Sequence, residues 1–580
     1  MKYFGLLLLA AMPSFAADKL QTVYESSNGL KTATYEQGMA FYRALAAAYP
    51  KTIVIREMGP TDSGKPLHLV IFSASGEFDI PALKRKGKPI FMINNAIHAG
   101  EPDGVDACMM FLRDLASGKL QKTNLDSIAL GVIPFYNIGG VLNRNATTRV
   151  NQLGPESYGF RGNARNFDLN RDFIKNDSRN AGSFAQIFHL LDPEVYLETH
   201  VTNGSDHQYI LTVLATQADK LSGEQGRYMD EVFEPELMKR LEAKGVPATP
   251  YVNVFGSTPD KGFRQFLDGP RYSTGYTALF QTLGFMTETH SLKPFKERVL
   301  ATKSFIDSLT DALIEHGQEI RNLRAKTRET LRKQTAFPLK WELDSGQSKT
   351  LSFKGYEAEM LPSQLTPGER LKYDRTKPFE KDVPFYNKYR GALTVTRPDA
   401  YIIPQGWHRI SDRLKRNGIR MFALPAAREI EVEVYHIEKF ETSPNPYEGH
   451  YPHQDVEVRK SLEKVAFREG DWVVPTDQDG VRYLMETLEP QAPDSFFNWN
   501  FFDTILQQKE YFSGYIFEEI AIKLLEDHPE IKAEFEAKKK EDSDFAVSRR
   551  AQLHWIYVHS PHYEKAHKRY PIYRALQPVK

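Results

Sequence analysis

KPIFMINNAIHAGEPDGVDACMMFLRDLA, residues 88–116, decides how the first half of the chain reads. After its first two residues comes an apolar run, as in a strand covered by helices on both faces. Its closing run, VDACMMFLRDLA, carries apolar residues at helical spacing. Where one hands over to the other stand His98 and Glu101, three apart. A helix start with an acidic first turn is one sufficient reason for that glutamate, since negative charge is favourable at this end of the macrodipole. Half of a metal site is the other reason, because a turn at a strand end can aim both side chains into one cleft. In a chain with 16 histidines the pair alone decides nothing.

On either side, from about residue 18 to 295, short β-like runs alternate with amphipathic segments, which predicts an α/β domain. TIVIREMG, LHLVIFSAS, ALGVIPFYN, VYLETHV, YILTVLA and FMTETH are the other strand candidates. Residues 139–177 turn polar and irregular, a length of loop that is uncommon in a compact domain unless it lines a site. Residues 296–334 carry Phe305, Leu309, Leu313 and Ile320 at helical spacing and predict one long helix. The domain expectations are therefore a leader over 1–16, a catalytic domain over 17–334, a β-sandwich-like accessory domain over 335–464 and a helical, aromatic-rich region over 465–580. In that last region Phe512, Ile516, Ile520 and Leu524 form a stripe that predicts core. GHYPHQ, residues 449–454, reads as a surface turn despite its two histidines.

The 580 residues carry a formal net charge of +0, which gives no reason to expect nucleic acid or an anionic membrane as partner. MKYFGLLLLAAMPSFAA reads as a secretory leader, with Lys2 as its basic end and small residues before a cleavage after Ala16. Its apolar core is shorter than the roughly 20 residues a bilayer requires. Cys108 is the single cysteine, so no internal disulfide forms; an exported chain of this size without one suggests a bacterial periplasm or its surroundings. Cys108 itself reads as a small buried hydrophobe.

Further along, VYLETH ends in His200, ARNFDLNRDF packs Asp168, Asn170 and Arg171 into four positions, and GFMTETHS ends a strand-like run with Glu288. His-x-x-Glu, a distant single His, an Asp-x-Asn-Arg element between them and a late strand-borne Glu occur in that order. In this pattern residues 18 to about 325 resemble the zinc carboxypeptidases, or funnelins, and the long exported bacterial members in particular. The fold this resemblance implies is a mixed-sheet α/β catalytic domain, here followed by the β-rich and helical regions.

The same resemblance implies one Zn²⁺ held by His98, Glu101 and His200, with an open position for water. It implies Glu288 as the general base, and Asp168 as the carboxylate that fixes the first zinc histidine. Asn170 and Arg171 match the pair that grips a free C-terminal carboxylate, for which a guanidinium suits because it bonds two oxygens in one plane. A second arginine should stabilise the oxyanion: Arg149 and Arg144 both lie in the expected loop, and Arg149 is favoured. The family's usual Asn-Pro-Asp-Gly turn is altered here to NIGG, residues 137–140, so spacing does not settle the choice. Tyr272 matches the tyrosine that covers substrate, with Tyr276 as alternate, and the apolar residues 278–280 hint at an apolar C-terminal side chain. Glu198 departs from the family's residue at its position and could reach a zinc ligand or cap the turn. DSFFNWNFFD, residues 494–503, is expected to pack on the catalytic domain.

The expected activity is metallocarboxypeptidase hydrolysis of peptide or protein C-termini, without nucleic acid and without stable membrane insertion. An amidohydrolase that deacylates N-acyl amino acids or trims cell-wall peptides uses the same metal set. An inactive peptide-binding relative is the reading from another class, and Glu288 speaks against it. Oligomeric state is not legible.

Overall fold

The computed structural model describes residues 20–579; the leader expected over 1–16 lies outside the described residues. Among the described residues nine strands precede the long helix. They are β1 (Ile53–Pro60), β2 (Pro66–Phe72), β3 (Ile90–Asn94), β4 (Ala129–Ile133), β5 (Val195–Thr202), β6 (Leu211–Ala215), β7 (Ala248–Pro250), β8 (Phe263–Arg264) and β9 (Leu283–His290). All but β8 form one sheet in the order β1-β2-β4-β3-β5-β9-β6-β7. The centre, β4-β3-β5-β9, is parallel, whereas β1, β2 and β6 pair antiparallel. This is the mixed α/β sheet expected from the sequence.

Strand alternation divides the core in two. Phe91, Ile93, Leu130, Val132 and Leu197 face the helices Tyr35–Ala48, Asp103–Ala116 and Phe295–Lys333, with Cys108 buried among them. Ile90, Met92, Ala129, Ile133 and Tyr196 face Phe184, Ile187 and Phe188 of the helix Arg179–Leu191. Helices on both faces explain why β5 is buried at every position and why its sequence does not alternate. The helix Asp103–Ala116 comes so close that a Cβ on Gly104 would run into Thr199 Oγ1, which reserves that position for glycine.

The second half departs from its expectation. Residues 335–464 do not face two sheets across a sandwich. β10 (Ala336–Leu343) pairs with β13 (Tyr389–Thr396), while β11 (Lys349–Pro362) and β12 (Glu369–Tyr386) form a long ribbon that joins β8 of the catalytic part. β14 (Ala400–Ile403), β15 (Phe422–Ala423), β16 (Arg428–Thr442) and β17 (His453–Phe467) share a six-stranded sheet with β18 (Trp472–Pro475) and β19 (Tyr573–Ala575). The ribbons are exposed along most of their length and offer no continuous apolar face for a second sheet to cover. Tyr401, Tyr435, Tyr483 and Phe496 instead belong to the same core as Phe184 and Tyr276, so this half packs on the catalytic sheet's helices.

Of the stripe predicted in the last region, Phe512 and Leu524 pack against a small core and Ile516 and Ile520 do not. In the helix Gly514–Asp527 the buried residues are Phe517 and Ala521, which meet Phe535, Phe545 and Leu553, while Ile516 and Ile520 are exposed. The helix is apolar on more than one face, so periodicity alone could not choose. Among the described residues no helix is long and apolar enough to cross a membrane.

Candidate active site

β3, β5 and β9 end side by side, and the candidate residues sit at those carboxyl ends, where ligands of open α/β sheets bind. Beyond β3 the backbone turns through Ala96, at φ 59°, and the Glu101 N–H donates to the His98 carbonyl at 2.8 Å. That turn sets the two side chains next to each other. Glu101 lies outside the helix; Asp103 and Asp106 supply the acidic first turn, which removes the simpler reason for the glutamate. His200 is the in-register partner of Glu288 in the parallel β5–β9 ladder, so both side chains emerge on one face.

His98 Nδ1 lies 3.1 Å from His200 Nδ1 and 3.3 Å from Glu101 Oε1, and His200 Nδ1 lies 3.0 Å from Glu101 Oε2. Ligands of a tetrahedral ion with bonds near ~2.0–2.1 Å sit about 3.3 Å apart, so the spacing suits zinc. The outer ring nitrogens make the same point. His98 Nε2 is 2.9 Å from Asp168 Oδ1, and His200 Nε2 is 3.0 Å from Glu198 Oε2. Each imidazole donates outward to a carboxylate, which leaves two lone pairs and a third carboxylate converging on one point. Burial alone would lower the His200 pKa, yet its hydrogen bonds to Glu101 and Glu198 push it up to about 10. Burial would raise Glu101, but Arg149 and the two histidines hold it well below the usual carboxylate range. The site attracts positive charge, and the donor set fits a zinc ion.

Glu198 resolves the open choice left by the sequence: it holds a candidate zinc ligand. Its Oε1 accepts from Tyr196 OH at 3.0 Å and Asn94 Nδ2 at 3.1 Å, and its Oε2 accepts from Ser273 Oγ at 2.5 Å. Asp168 is equally engaged, accepting from the Asn170 N–H and from Arg161 Nε, each at 2.9 Å. Burial opposes its ionisation, but His98, Arg161 and Arg171 hold its carboxyl far below the usual range.

A cleft of about 280 Å³ opens over these groups, lined by Arg149, Arg161, Asn170, Arg171, Tyr272 and Glu288 among others. Enclosure pushes the Glu288 carboxyl up to about 7; His200 and the arginines pull the other way, and Glu101 adds to the rise. Asn170 Nδ2 is 3.3 Å from His200 Nε2. The guanidinium of Arg171 lies 4.5 Å from the Tyr272 ring centroid, so Tyr272 lies against Arg171. Tyr276, by contrast, is buried beside Asn417 and His189, away from the cleft.

The arginines sort differently from the expectation. Arg144 is not in the cleft: its Nη2 donates to the Ser157 carbonyl at 2.6 Å and its Nε to Ser157 Oγ at 3.2 Å, so it braces the loop. Arg149 lines the cleft with each of its three nitrogens already donating once, to Glu101 Oε1 at 2.8 Å, the Val201 carbonyl at 3.1 Å and Gln152 Oε1 at 2.5 Å. Arg161, which the sequence did not single out, lines the cleft with its side chain 44% exposed, against 19% for Arg149. Its Nε and Nη2 hold Asp168, and its Nη1 lies 3.7 Å from Glu101 without a hydrogen bond. Residues 278–280, read as a hint of specificity, are buried core, and the apolar cleft wall is instead Leu214, Tyr251, Phe255, Phe266 and Met286.

The zinc carboxypeptidase family profile matches residues 39–202, which include both histidines and Glu101. A carboxypeptidase 2 of Trichophyton rubrum is 23% identical over 486 residues, covering 81% of this chain and 84% of that protein. A carboxypeptidase 2 of Trichophyton equinum is 24% identical over 419 residues, covering 70% and 72%. A solved metallo-carboxypeptidase from Burkholderia cenocepacia aligns over 50% of this chain and 70% of its own, at 16% identity and a TM-score of 0.36.

Proposed function

We propose, for a chain that carries a zinc carboxypeptidase domain and is a zinc-dependent peptidase of that kind, that His98, Glu101 and His200 hold one zinc per chain beside Glu288 as general base. The observation that carries this is the convergence of His98 Nδ1, Glu101 and His200 Nδ1, with Glu288 in register with His200 on the neighbouring strand. Zinc bound there supplies a Lewis acid and lowers the pKa of water from 15.7 to about 7.

The chain's own groups do the rest. Glu288, whose carboxyl burial pushes up, takes the proton of the attacking water and returns it to the departing amine. Arg161 offers an unengaged Nη1 to the developing oxyanion. Arg149, expected in that role, instead orients Glu101. Asp168 and Glu198 fix tautomer and ring orientation of the two histidines. Arg171 receives the substrate's terminal carboxylate with Asn170 beside it, and Tyr272 backs the guanidinium. The apolar wall selects an apolar or aromatic C-terminal side chain.

The test is hydrolysis of blocked dipeptides ending in Phe or Lys, and of N-acyl amino acids, with and without chelator. Chelator-sensitive release of the C-terminal Phe, restored by zinc, is the expected result. Turnover confined to N-acyl amino acids selects the amidohydrolase, and no metal-dependent turnover on any of them selects an inactive peptide-binding relative. Export, with cleavage after Ala16, into a periplasm or the medium is part of the same proposal. N-terminal sequencing of the secreted chain checks it.

A further inference from the structure

One segment of the C-terminal half reaches the arginine assigned to the substrate carboxylate. Residues 443–452 connect β16 to β17 and lie along residues 167–177 of the catalytic part. Three bonds fasten them: Arg171 Nε donates to Tyr447 OH at 3.0 Å, the Asp168 N–H donates to Glu448 Oε2 at 2.8 Å, and His450 Nε2 lies 2.6 Å from Asp177 Oδ2. The approach is close enough to require glycine at Gly449, where φ is +80° and a Cβ would meet Phe167 Cε1 at 2.9 Å.

The consequence falls on Arg171. A guanidinium is planar with five N–H donors. Here Tyr447 takes Nε, the Asn170 carbonyl takes Nη1 at 2.8 Å, and Tyr272 lies against the face. These contacts fix the plane and its rotation, while Nη2 has no hydrogen-bond partner among the described residues. Occupation of Nε closes the side-on fork and leaves the end-on pair of amines for a ligand. Tyr447 is itself held from the C-terminal half: its ring stacks on Trp499 at 6.1 Å, and Arg271, tied to Asp494 Oδ1 at 2.8 Å, lies 5.6 Å from the ring centroid.

We propose that Tyr447 is a positioning residue for recognition of the substrate's free carboxylate, so that the C-terminal half completes the substrate site. This rests on the reading of Arg171 as the carboxylate-binding group. It gives a physical role to a segment of which the sequence reading covered only the end, from Gly449, as a surface turn.

The test compares Tyr447→Phe, which keeps the stacking ring and removes the oxygen, with the unsubstituted zinc-loaded enzyme. Steady-state hydrolysis of benzoylglycyl-phenylalanine is measured, together with inhibition by N-acetylphenylalanine, which has a carboxylate, and by acetohydroxamate, which has none. The expected result is KM and the N-acetylphenylalanine inhibition constant raised about tenfold, as for a lost hydrogen bond to a charged group. kcat should stay within about twofold and acetohydroxamate inhibition should not move. Unchanged KM overturns the proposal, as does an equal loss against both inhibitors. If Tyr447→Phe does not fold, Asp494→Asn, which loosens Arg271 behind the ring, carries the test with a smaller rise in KM expected and no rise overturning it. Absence of turnover in the unsubstituted enzyme defeats the functional reading and this proposal together; turnover with Tyr447→Phe unaltered defeats this proposal alone.

Discussion

The floor of the cleft and its rim are built in different ways. On the floor, His200 and Glu288 are placed by ladder register between two buried strands, and His98 and Glu101 by a tight turn at the end of a third. Every floor histidine has a carboxylate behind it. The rim is carried by the irregular residues 139–177 and by a loop from the other half of the chain, and its arginines are partly exposed. Positions fixed by a ladder cannot adjust when a group is removed, whereas loop-borne guanidinium groups are held by several replaceable bonds. Substitutions on the floor should therefore abolish function, and those on the rim should grade it.

The largest effect expected is at the base. Glu288→Gln should lower kcat by about three to four orders of magnitude while zinc content stays at the unsubstituted level. Loss of metal would make Glu288 a ligand and erase the distinction between ion-holding and proton-moving groups on the floor. The same residue sets a pH dependence. Enclosure raises its pKa, so the proton-accepting form is lost as pH falls through about 7; a bound cation pulls that midpoint back toward 4.5. kcat/KM should fall on the acid side between those values, and a profile flat across them would contradict the assignment.

Next in size, Arg161→Ala should cost about 10²–10³ in kcat, and Arg149→Ala should act mainly through weaker zinc retention. The reverse pattern, read from kcat and metal analysis, would return the oxyanion role to Arg149. Glu198→Gln, behind the floor, should weaken zinc binding about 10–100-fold in a competitive chelator titration. No weakening would reduce Glu198 to a structural role. The smallest effect is expected at Arg171: Arg171→Ala should raise KM for free-carboxylate substrates by about one to two orders with kcat much less affected. An equal effect on C-terminally amidated substrates would remove carboxylate recognition from that residue.

The same division governs what the sequence made legible. His98, Glu101, His200 and Glu288 could be proposed because strand ends carry them in an ordered pattern, which one tight turn and strand register bring together; Asp168, inside the irregular segment, was reached only through the family resemblance. Arg161 escaped notice because Arg144, Arg149, Arg161, Arg165 and Arg171 lie in one irregular segment, where no period tells which side chain points inward. Glu198 was visible as a departure, but its partner depended on a histidine two residues along the same strand, on the same face. The accessory sandwich failed because β-like composition does not say how strands are shared between sheets, and β18 and β19 come from beyond the expected boundary. Tyr447 was beyond reach for a simpler reason: it meets Arg171 across 276 residues of chain.

Zinc analysis of the dialysed protein, compared with His98→Ala and His200→Ala, asks whether these side chains hold an ion. One zinc per folded chain is expected in the unsubstituted protein, and its loss, with hydrolytic activity, in either variant. A folded protein that retains no zinc, or variants that keep it, would contradict the convergence of these three side chains on one ion.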